Sequence, residues 1–202
     1  MRVTIFDIEA TDLGANFGRL LCCGFADLAE DAPVEMYRRD LRPWKGQRLT
    51  DDARLAVAIR DRLEVADIVV GWNSILYDVP FINTRLTAAG ERPVRLGEKY
   101  GSWHLDLMYY AGGQAMRLPG RKLDTVARFL GTEDSKTPLT PAVWADAAVG
   151  EKEAMQEVVE HCTTDVLVLK QVFPKLAPFV KKITFNLSEV WTTIESIPSR
   201  RK

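Results

Sequence analysis

The sequence has few of the residues that build cross-linked or metal-rich small proteins. Of its 202 residues, three are cysteines and two are histidines. Three cysteines cannot form a disulfide framework, and two histidines are too few for a histidine-rich metal site. Cys22 and Cys23 are adjacent in an apolar stretch, and neighbouring residues of a strand point to opposite faces of a sheet. We therefore expect both to be small buried hydrophobic residues rather than metal ligands.

Long apolar runs and a strong net charge are also missing. No stretch approaches the roughly 18 apolar residues that a membrane-spanning helix needs. Asp7 and Glu9 interrupt the first apolar stretch before a signal-peptide core is complete. These features predict a cytoplasmic protein without membrane contact. The net charge of −1 and the 47% of hydrophobic residues are ordinary for a folded domain and exclude a wholly disordered chain.

Hydrophobic periodicity predicts an α/β domain with a mixed β-sheet flanked by helices, because strands come first and then alternate with helices. Strands are predicted over residues 2–8, 19–27, 34–39, 67–71 and 103–108. Helical patterns begin at residues 51, 80, 123 and near 150, and Pro174 and Pro178 are expected to end the last one. We expect one domain over residues 1–178. An apolar C-terminal extension, residues 179–202, would pack on this domain or on a partner.

Four carboxylates occupy positions from which they can meet at one edge of such a sheet. Asp7 and Glu9 are two residues apart on the first strand, so their side chains project from one face, about 7 Å apart along the strand. Asp78 follows the strand at 67–71, near the start of a helix, and Asp165 lies in the last helix. Clustered carboxylates repel one another unless cations neutralise them, and Mg²⁺ or Mn²⁺ suits oxygen ligands. The pattern suggests a two-metal site for a phosphodiester.

Four segments resemble, in order and spacing, conserved parts of the DEDD superfamily of 3′–5′ exonucleases, which have the RNase H-like (DnaQ-type) fold. Residues 7–13 (DIEATDL) resemble the first motif, and residues 71–82 (GWNSILYDVPFI) resemble the second. Residues 161–166 (HCTTDV) stand where the third motif belongs, and residues 123–131 resemble the helix before it. The resemblance covers residues 1–175. It is closest to the proofreading domains of family B DNA polymerases and to small stand-alone bacterial and phage exonucleases.

The resemblance implies roles for individual residues of the site. Asp7, Glu9, Asp78 and Asp165 would be catalytic and would bind two Mg²⁺ or Mn²⁺ ions. His161 stands four residues before Asp165, where one branch of the superfamily has tyrosine, whereas the other branch has its histidine five residues before. Because positions i and i+4 share a helix face, His161 and Asp165 can both point at the site. The imidazole could accept a proton from the attacking water or only orient that water.

Other positions match residues that contact nucleic acid in such exonucleases. By resemblance, Asn73 would contact the strand near its 3′ end, and Leu13 would wedge against the terminal base. Trp72 and Tyr77 flank the second motif, and one of them could stack on a base, although such aromatic residues are more often core. Asp106 is acidic, as is common in such folds, and we assign it no direct catalytic role. A basic loop follows, with three candidates for binding phosphates: Arg117, Arg121 and Lys122.

The resemblance therefore implies a metal-dependent 3′–5′ exonuclease that hydrolyses phosphodiester bonds of DNA by a two-metal-ion mechanism and releases nucleoside 5′-monophosphates. Two alternatives stay open: a 3′–5′ exoribonuclease of the same fold, and a non-catalytic module that binds nucleic acid or a polymerase. A zinc hydrolase is disfavoured because the sequence has no His-Glu-x-x-His motif. The expected partner is a DNA 3′ end. The chain has no polymerase module, so a role in replication or repair would need a partner in trans.

Overall fold

The computed structural model describes residues 1–29, 31–39, 51–114, 116–118, 120–132 and 139–180. It confirms the predicted class, because these residues form a mixed five-stranded sheet flanked by helices. The strands are β1 (Val3–Ala10), β2 (Leu20–Asp27), β3 (Glu35–Arg38), β4 (Ile68–Gly71) and β5 (Trp103–Asp106). The α-helices are α1 (Ala53–Leu63), α2 (Asp78–Ala88), α3 (Leu107–Tyr109), α4 (Leu123–Phe129), α5 (Pro141–Val149) and α6 (Lys152–Leu176).

The sheet has the strand order β3-β2-β1-β4-β5, with β1 at its centre. β1 pairs antiparallel with β2 and parallel with β4, and β4 pairs parallel with β5. The β1–β4 pairing ends at Ile5 and Val70, whereas β1 stays paired with β2 as far as Ala10. The second half of β1 therefore extends beyond β4. Its edge at this point faces the turn that leads from β4 into α2.

The two faces of β1 pack against different helices because side chains alternate along a strand. Phe6 and Ile8 share a buried cluster with residues of α1 and α2. Val3 and Ile5 lie in a cluster with residues of α6 on the other face. A Cβ on Gly24, which is opposite Asp7 in β2, would lie 3.0 Å from Cγ2 of Val166. The missing side chain at this position thus lets α6 approach the sheet closely.

The three cysteines are buried and form no disulfide, as expected for small hydrophobic residues. Cys22 packs with α5 and α6, and Cys23 packs with α1 and α2, so the two adjacent residues do face opposite sides of the sheet. Within the described ranges, no helix is long and apolar enough to cross a membrane.

The two C-terminal α-helices, α5 and α6, differ from the prediction. α6 passes through Pro174 and ends at Leu176, so the prediction that Pro174 ends this helix was wrong. Proline removes only one backbone donor there, and the buried Phe173 and Leu176 hold the last turn in the core. α5 was not predicted, although Pro141 in its first turn and the left-handed Gly150 after its end are typical boundary residues.

β5 ends at Asp106, two residues earlier than predicted, because the Asp106 side chain caps the short helix α3.

The predicted C-terminal extension is described only at its first residues. Val180 is buried in the core beside α6. The remainder of the predicted extension, residues 181–202, lies outside the described residues. Its packing on the domain or on a partner therefore stays a prediction.

Candidate active site

Four of the predicted site residues meet where β1 faces α6. Asp7 and Glu9 lie on the side of β1 that packs against this helix, and their carboxylate oxygens are within 4.8 Å of each other. One carboxylate oxygen of Glu9, a ring nitrogen of His161 and one oxygen of Asp165 also lie within 4.8 Å of one another. The structure therefore brings together two residues of the first strand and two residues of the last helix.

His161 lies between two of these carboxylates. Its Nε2 is 3.8 Å from Oε1 of Glu9 and 4.0 Å from Oδ2 of Asp165, which follows one helical turn later. Trp144 of α5 packs edge to face with the imidazole, with ring centroids 6.1 Å apart and planes at 86°. This packing restricts the orientation of the imidazole. Trp144 was not predicted as a site residue because α5 itself was not predicted.

Asp78, the first residue of α2, contacts the edge of β1 and does not belong to either of these two groups of potential ligands. Its Oδ1 accepts a hydrogen bond of 3.3 Å from the Ile8 N–H, which lies between Asp7 and Glu9 where β1 has no neighbour in β4. The residue is only 4% exposed. Burial raises the pKa of Asp78 to about 7, and the nearby Asp106 carboxyl acts in the same direction, against the hydrogen bonds from Ile8 and its own backbone. Burial therefore favours the protonated form of the Asp78 carboxyl.

Tyr77 precedes Asp78 and lies near three of the acids. Burial, followed by the negative charges of Asp78, Glu9 and Asp7, raises the pKa of Tyr77 to about 12. Its hydroxyl donates a long hydrogen bond of 3.5 Å to the Asp12 carbonyl oxygen. Tyr77 thus links the turn before α2 to the loop after β1. The predicted contact of Tyr77 with a base stays a prediction.

Exposed apolar side chains occur on both segments that Tyr77 links. Leu13 is 85% exposed and Phe17 is 80% exposed on the loop after β1, and Ile75 and Leu76 are exposed on the turn before α2. We call these four residues the apolar loop group. Only Leu13 was predicted as a site residue. The other three have a recognisable sequence signal, since they are apolar residues within turn-like segments that flank motif acids.

A cleft of about 530 Å³ opens beside the acids. Its lining includes acidic, basic and apolar residues: Asp7, Trp72, Asn73, Met108, Arg121, Lys122, Leu123, Asp124 and Asp165. Three predicted nucleic-acid contacts are thus in the cleft, whereas Arg117 is exposed on the same basic loop outside this lining. Trp72 Nε1 donates a hydrogen bond of 2.9 Å to the Arg121 carbonyl oxygen. Trp72 therefore fixes the basic loop to the end of β4.

The donor set of the site fits a hard divalent cation. Asp7, Glu9 and Asp165 offer closely spaced carboxylate oxygens, with a single imidazole beside them. The Cys162 sulfur lies near Asp7 and Glu9, but its thiol donates to the Asp7 carbonyl oxygen at 3.5 Å. A hydrogen bond with Cys22, together with burial and nearby negative charge, raises the pKa of the Cys162 thiol. A protonated thiol is a poor ligand, so the oxygen atoms remain as donors for Mg²⁺ or Mn²⁺.

The mixed sheet, its flanking helices and the acids on the central strand define an RNase H-like fold. A family model described as RNase_H superfamily matches residues 4–177. The chain therefore belongs to the RNase H superfamily. Together with the acidic cluster, this membership supports a nuclease-type hydrolase that uses divalent cations and binds nucleic acid.

A solved structure has the same fold: the family B DNA polymerase from the hyperthermophilic archaeon Pyrobaculum calidifontis. The superposition has a TM-score of 0.61 at 18% sequence identity and covers 86% of this chain but 25% of the polymerase chain. The chain thus corresponds to about a quarter of that polymerase. None of the curated proteins is significantly similar to the chain in sequence.

Proposed function

We propose that the protein is a metal-dependent 3′–5′ exonuclease that removes nucleoside 5′-monophosphates from DNA by a two-metal-ion mechanism. One observation carries this proposal: acids from β1 and α6 meet His161 beside a cleft that also contains Arg121 and Lys122. Carboxylates suit cations, and the two basic side chains suit the phosphates of a strand. Residues 1–178 form the proposed catalytic domain.

The four acids have distinct positions in the proposed reaction. Asp7, Glu9 and Asp165 would hold the cations from β1 and α6, and Asp78 would complete the site from the start of α2. When bound there, two Mg²⁺ or Mn²⁺ ions would supply an activated water and stabilise charge on the leaving oxygen. Asp78, with a pKa of about 7 without cations, would lose its proton as they bind.

His161 is the proposed proton acceptor for the attacking water. Its imidazole faces Glu9 and Asp165 at 3.8 and 4.0 Å, so their negative charges would stabilise the imidazolium that forms. The water oxygen would form a bond to phosphorus while the bond from phosphorus to the 3′ oxygen of the preceding nucleotide breaks. That 3′ oxygen would then take a proton from solvent, and no covalent bond to the protein would form.

The proposed nucleic-acid contacts lie in the cleft with its basic loop and on the loop after β1. Asn73, Arg121 and Lys122 would bind the strand in the cleft, and Arg117 would extend the basic surface of the same loop. Leu13 would contact the terminal base, because its side chain is exposed on the loop that follows the first motif acids. A DNA 3′ end is therefore the proposed partner, presented by a polymerase or repair protein in trans.

The test is a cleavage assay on a 5′-labelled single-stranded DNA oligomer with Mg²⁺, with Mn²⁺ and with a chelator. We expect a ladder that shortens from the 3′ end only when a divalent cation is present. Asp165→Asn should abolish it and remain folded by circular dichroism. Asp31→Asn is the matched control, since it removes one exposed carboxyl from the β2–β3 connection. This control should retain full activity.

A matched RNA oligomer is run in parallel with the DNA. Faster degradation of the RNA would replace the proposed deoxyribonuclease with an exoribonuclease of the same fold. A folded protein that binds the oligomer tightly but cleaves neither polymer with either cation would contradict the proposed reaction. The function would then be that of a nucleic-acid-binding module.

A further inference from the structure

The turn between β4 and α2, residues 72–77, has an uncommon backbone conformation at a residue of the cleft. Asn73 has a φ of 60°, and within the described part of the chain no other non-glycine residue has a positive φ. Its carbonyl oxygen accepts hydrogen bonds from the N–H groups of Leu76 and Tyr77, at 3.1 and 2.9 Å. The left-handed conformation of Asn73 therefore directs the chain into α2 and toward Asp78.

Asp106, the last residue of β5, holds this turn from the neighbouring strand. Its Oδ1 accepts hydrogen bonds from the Asn73 N–H at 2.9 Å and from the Met108 N–H at 3.1 Å, and its Oδ2 accepts one from the Ile75 N–H at 3.2 Å. The residue is 6% exposed and does not belong to the lining of the cleft described above. Both carboxylate oxygens thus accept hydrogen bonds from the protein's own backbone.

A second contact from β5 fixes the same turn. Oγ of Ser74 and Nε2 of His104 share a hydrogen bond of 2.9 Å, and Ser74 is buried. A Cβ on Gly71 would clash with the Ser74 side chain, so the end of β4 must be glycine for the turn to pack in this way. The turn is therefore packed against the ends of β4 and β5, and Asp106 holds its backbone.

We propose that Asp106 is a positioning residue of the nuclease site: its carboxylate fixes the left-handed turn at Asn73. The turn then presents Asn73 to the cleft and places Asp78, the first residue of α2, beside the Ile8 N–H of β1. This inference rests on the proposed function. Asp106 would touch neither substrate nor cation. Without the Asp106 carboxylate, the N–H groups of Asn73 and Ile75 lose their acceptors. The turn then no longer holds Asp78 in position to accept the hydrogen bond from the Ile8 N–H.

The test substitutes Asp106→Asn, which keeps the size of the side chain but replaces one acceptor oxygen by a donor. We expect kcat on the DNA oligomer to fall between about 10-fold and 100-fold, as for other residues that orient metal ligands, while KM changes much less. Mn²⁺ affinity, measured by calorimetry without DNA, should fall in the same range. Amide hydrogen exchange should accelerate at Asn73 and Ile75 in the cation-free protein.

A double-mutant cycle with Asn73→Gly distinguishes positioning from general destabilisation. Glycine adopts a positive φ freely, so the turn then depends less on its anchor. We expect the kcat loss caused by Asp106→Asn to be smaller in the Asn73→Gly background than in the wild type. A loss of equal size in both backgrounds would overturn the proposal. So would unchanged kcat, Mn²⁺ affinity and amide exchange in Asp106→Asn.

Two further variants keep the result interpretable. Asp61→Asn removes a carboxyl that is exposed on α1 and should leave all three measurements unchanged. If Asp106→Asn does not fold, Asp106→Ser, which retains one small acceptor, takes its place in the cycle with the same criteria. A wild-type protein that lacks nuclease activity would refute the proposed function alone, because Mn²⁺ affinity and amide exchange still test the turn.

Discussion

Asp78→Asn should make the cation-free protein more stable at pH 8, although it removes a proposed metal ligand. The carboxyl has a pKa of about 7 in the folded protein, against about 3.9 in an unfolded chain. Between these values the folded state binds more protons than the unfolded state, so the free energy of unfolding falls as pH rises. Asparagine carries no charge, and its side-chain oxygen can still accept from the Ile8 N–H.

The pKa difference sets the magnitude of this effect. Three units at about 1.4 kcal/mol each give an upper value of about 4 kcal/mol above pH 7. A gain of about 2–4 kcal/mol corresponds to a rise in Tm of roughly 5–15 °C for a chain of this size. The gain should grow from pH 4 to pH 7 and then level off.

The assay is thermal and urea unfolding followed by circular dichroism in a chelator, at pH values from 4 to 8.5. Asp31→Asn, a substitution at an exposed position, is the control and should leave the free energy of unfolding close to that of the wild type. With saturating Mn²⁺ the order should reverse, because cation binding stabilises the wild type more than the variant. An Asp78→Asn protein that is less stable than wild type at pH 8 in chelator would refute the reasoning about burial.

Two further predictions concern the loop after β1. Arg85 pairs with the buried Asp52 at 2.9 Å and also donates to the Ala15 carbonyl oxygen at 3.2 Å, so Arg85→Met should lower the free energy of unfolding by about 3–5 kcal/mol. Urea unfolding measures this loss, and a change below ~1 kcal/mol would contradict it. Phe17→Ala should raise KM for single-stranded DNA at least about fivefold through lost base stacking. Val65→Ala, an exposed apolar control on the connection before β4, should not change KM in the same steady-state assay.

The sequence was most informative where the pattern is local. Alternation and turn residues predicted each of the five strands of the described sheet within a few residues, and superfamily membership confirms the fold. The spacing of Asp7 and Glu9 predicted that they share a face of β1, and α6 does lie against that face. Such regularities are visible in one segment at a time, because strand and helix periods are fixed by backbone geometry.

The features that the sequence did not predict depend on contacts between segments that are distant in sequence. Asp106 and Asn73 are 33 positions apart. Nothing in the sequence near either residue indicates that the Asp106 carboxylate accepts a hydrogen bond from the turn at Asn73. Trp72 packs against the core, as such aromatic residues often do, but the sequence does not indicate that its indole N–H also donates to the Arg121 carbonyl oxygen. In the same way, the passage of α6 through Pro174 depends on the core that receives Phe173, which local helix propensity does not describe.

The residues of the proposed metal site are also synthesised at different times. Asp165, in the middle of α6, follows Asp7 by 158 positions. Domains fold as their segments leave the ribosome, the N-terminal part first. When β1 to β5 have left the ribosome but α6 has not, the site would lack both His161 and Asp165. The proposed site would thus stay incomplete until α6 has left the ribosome and packed against β1.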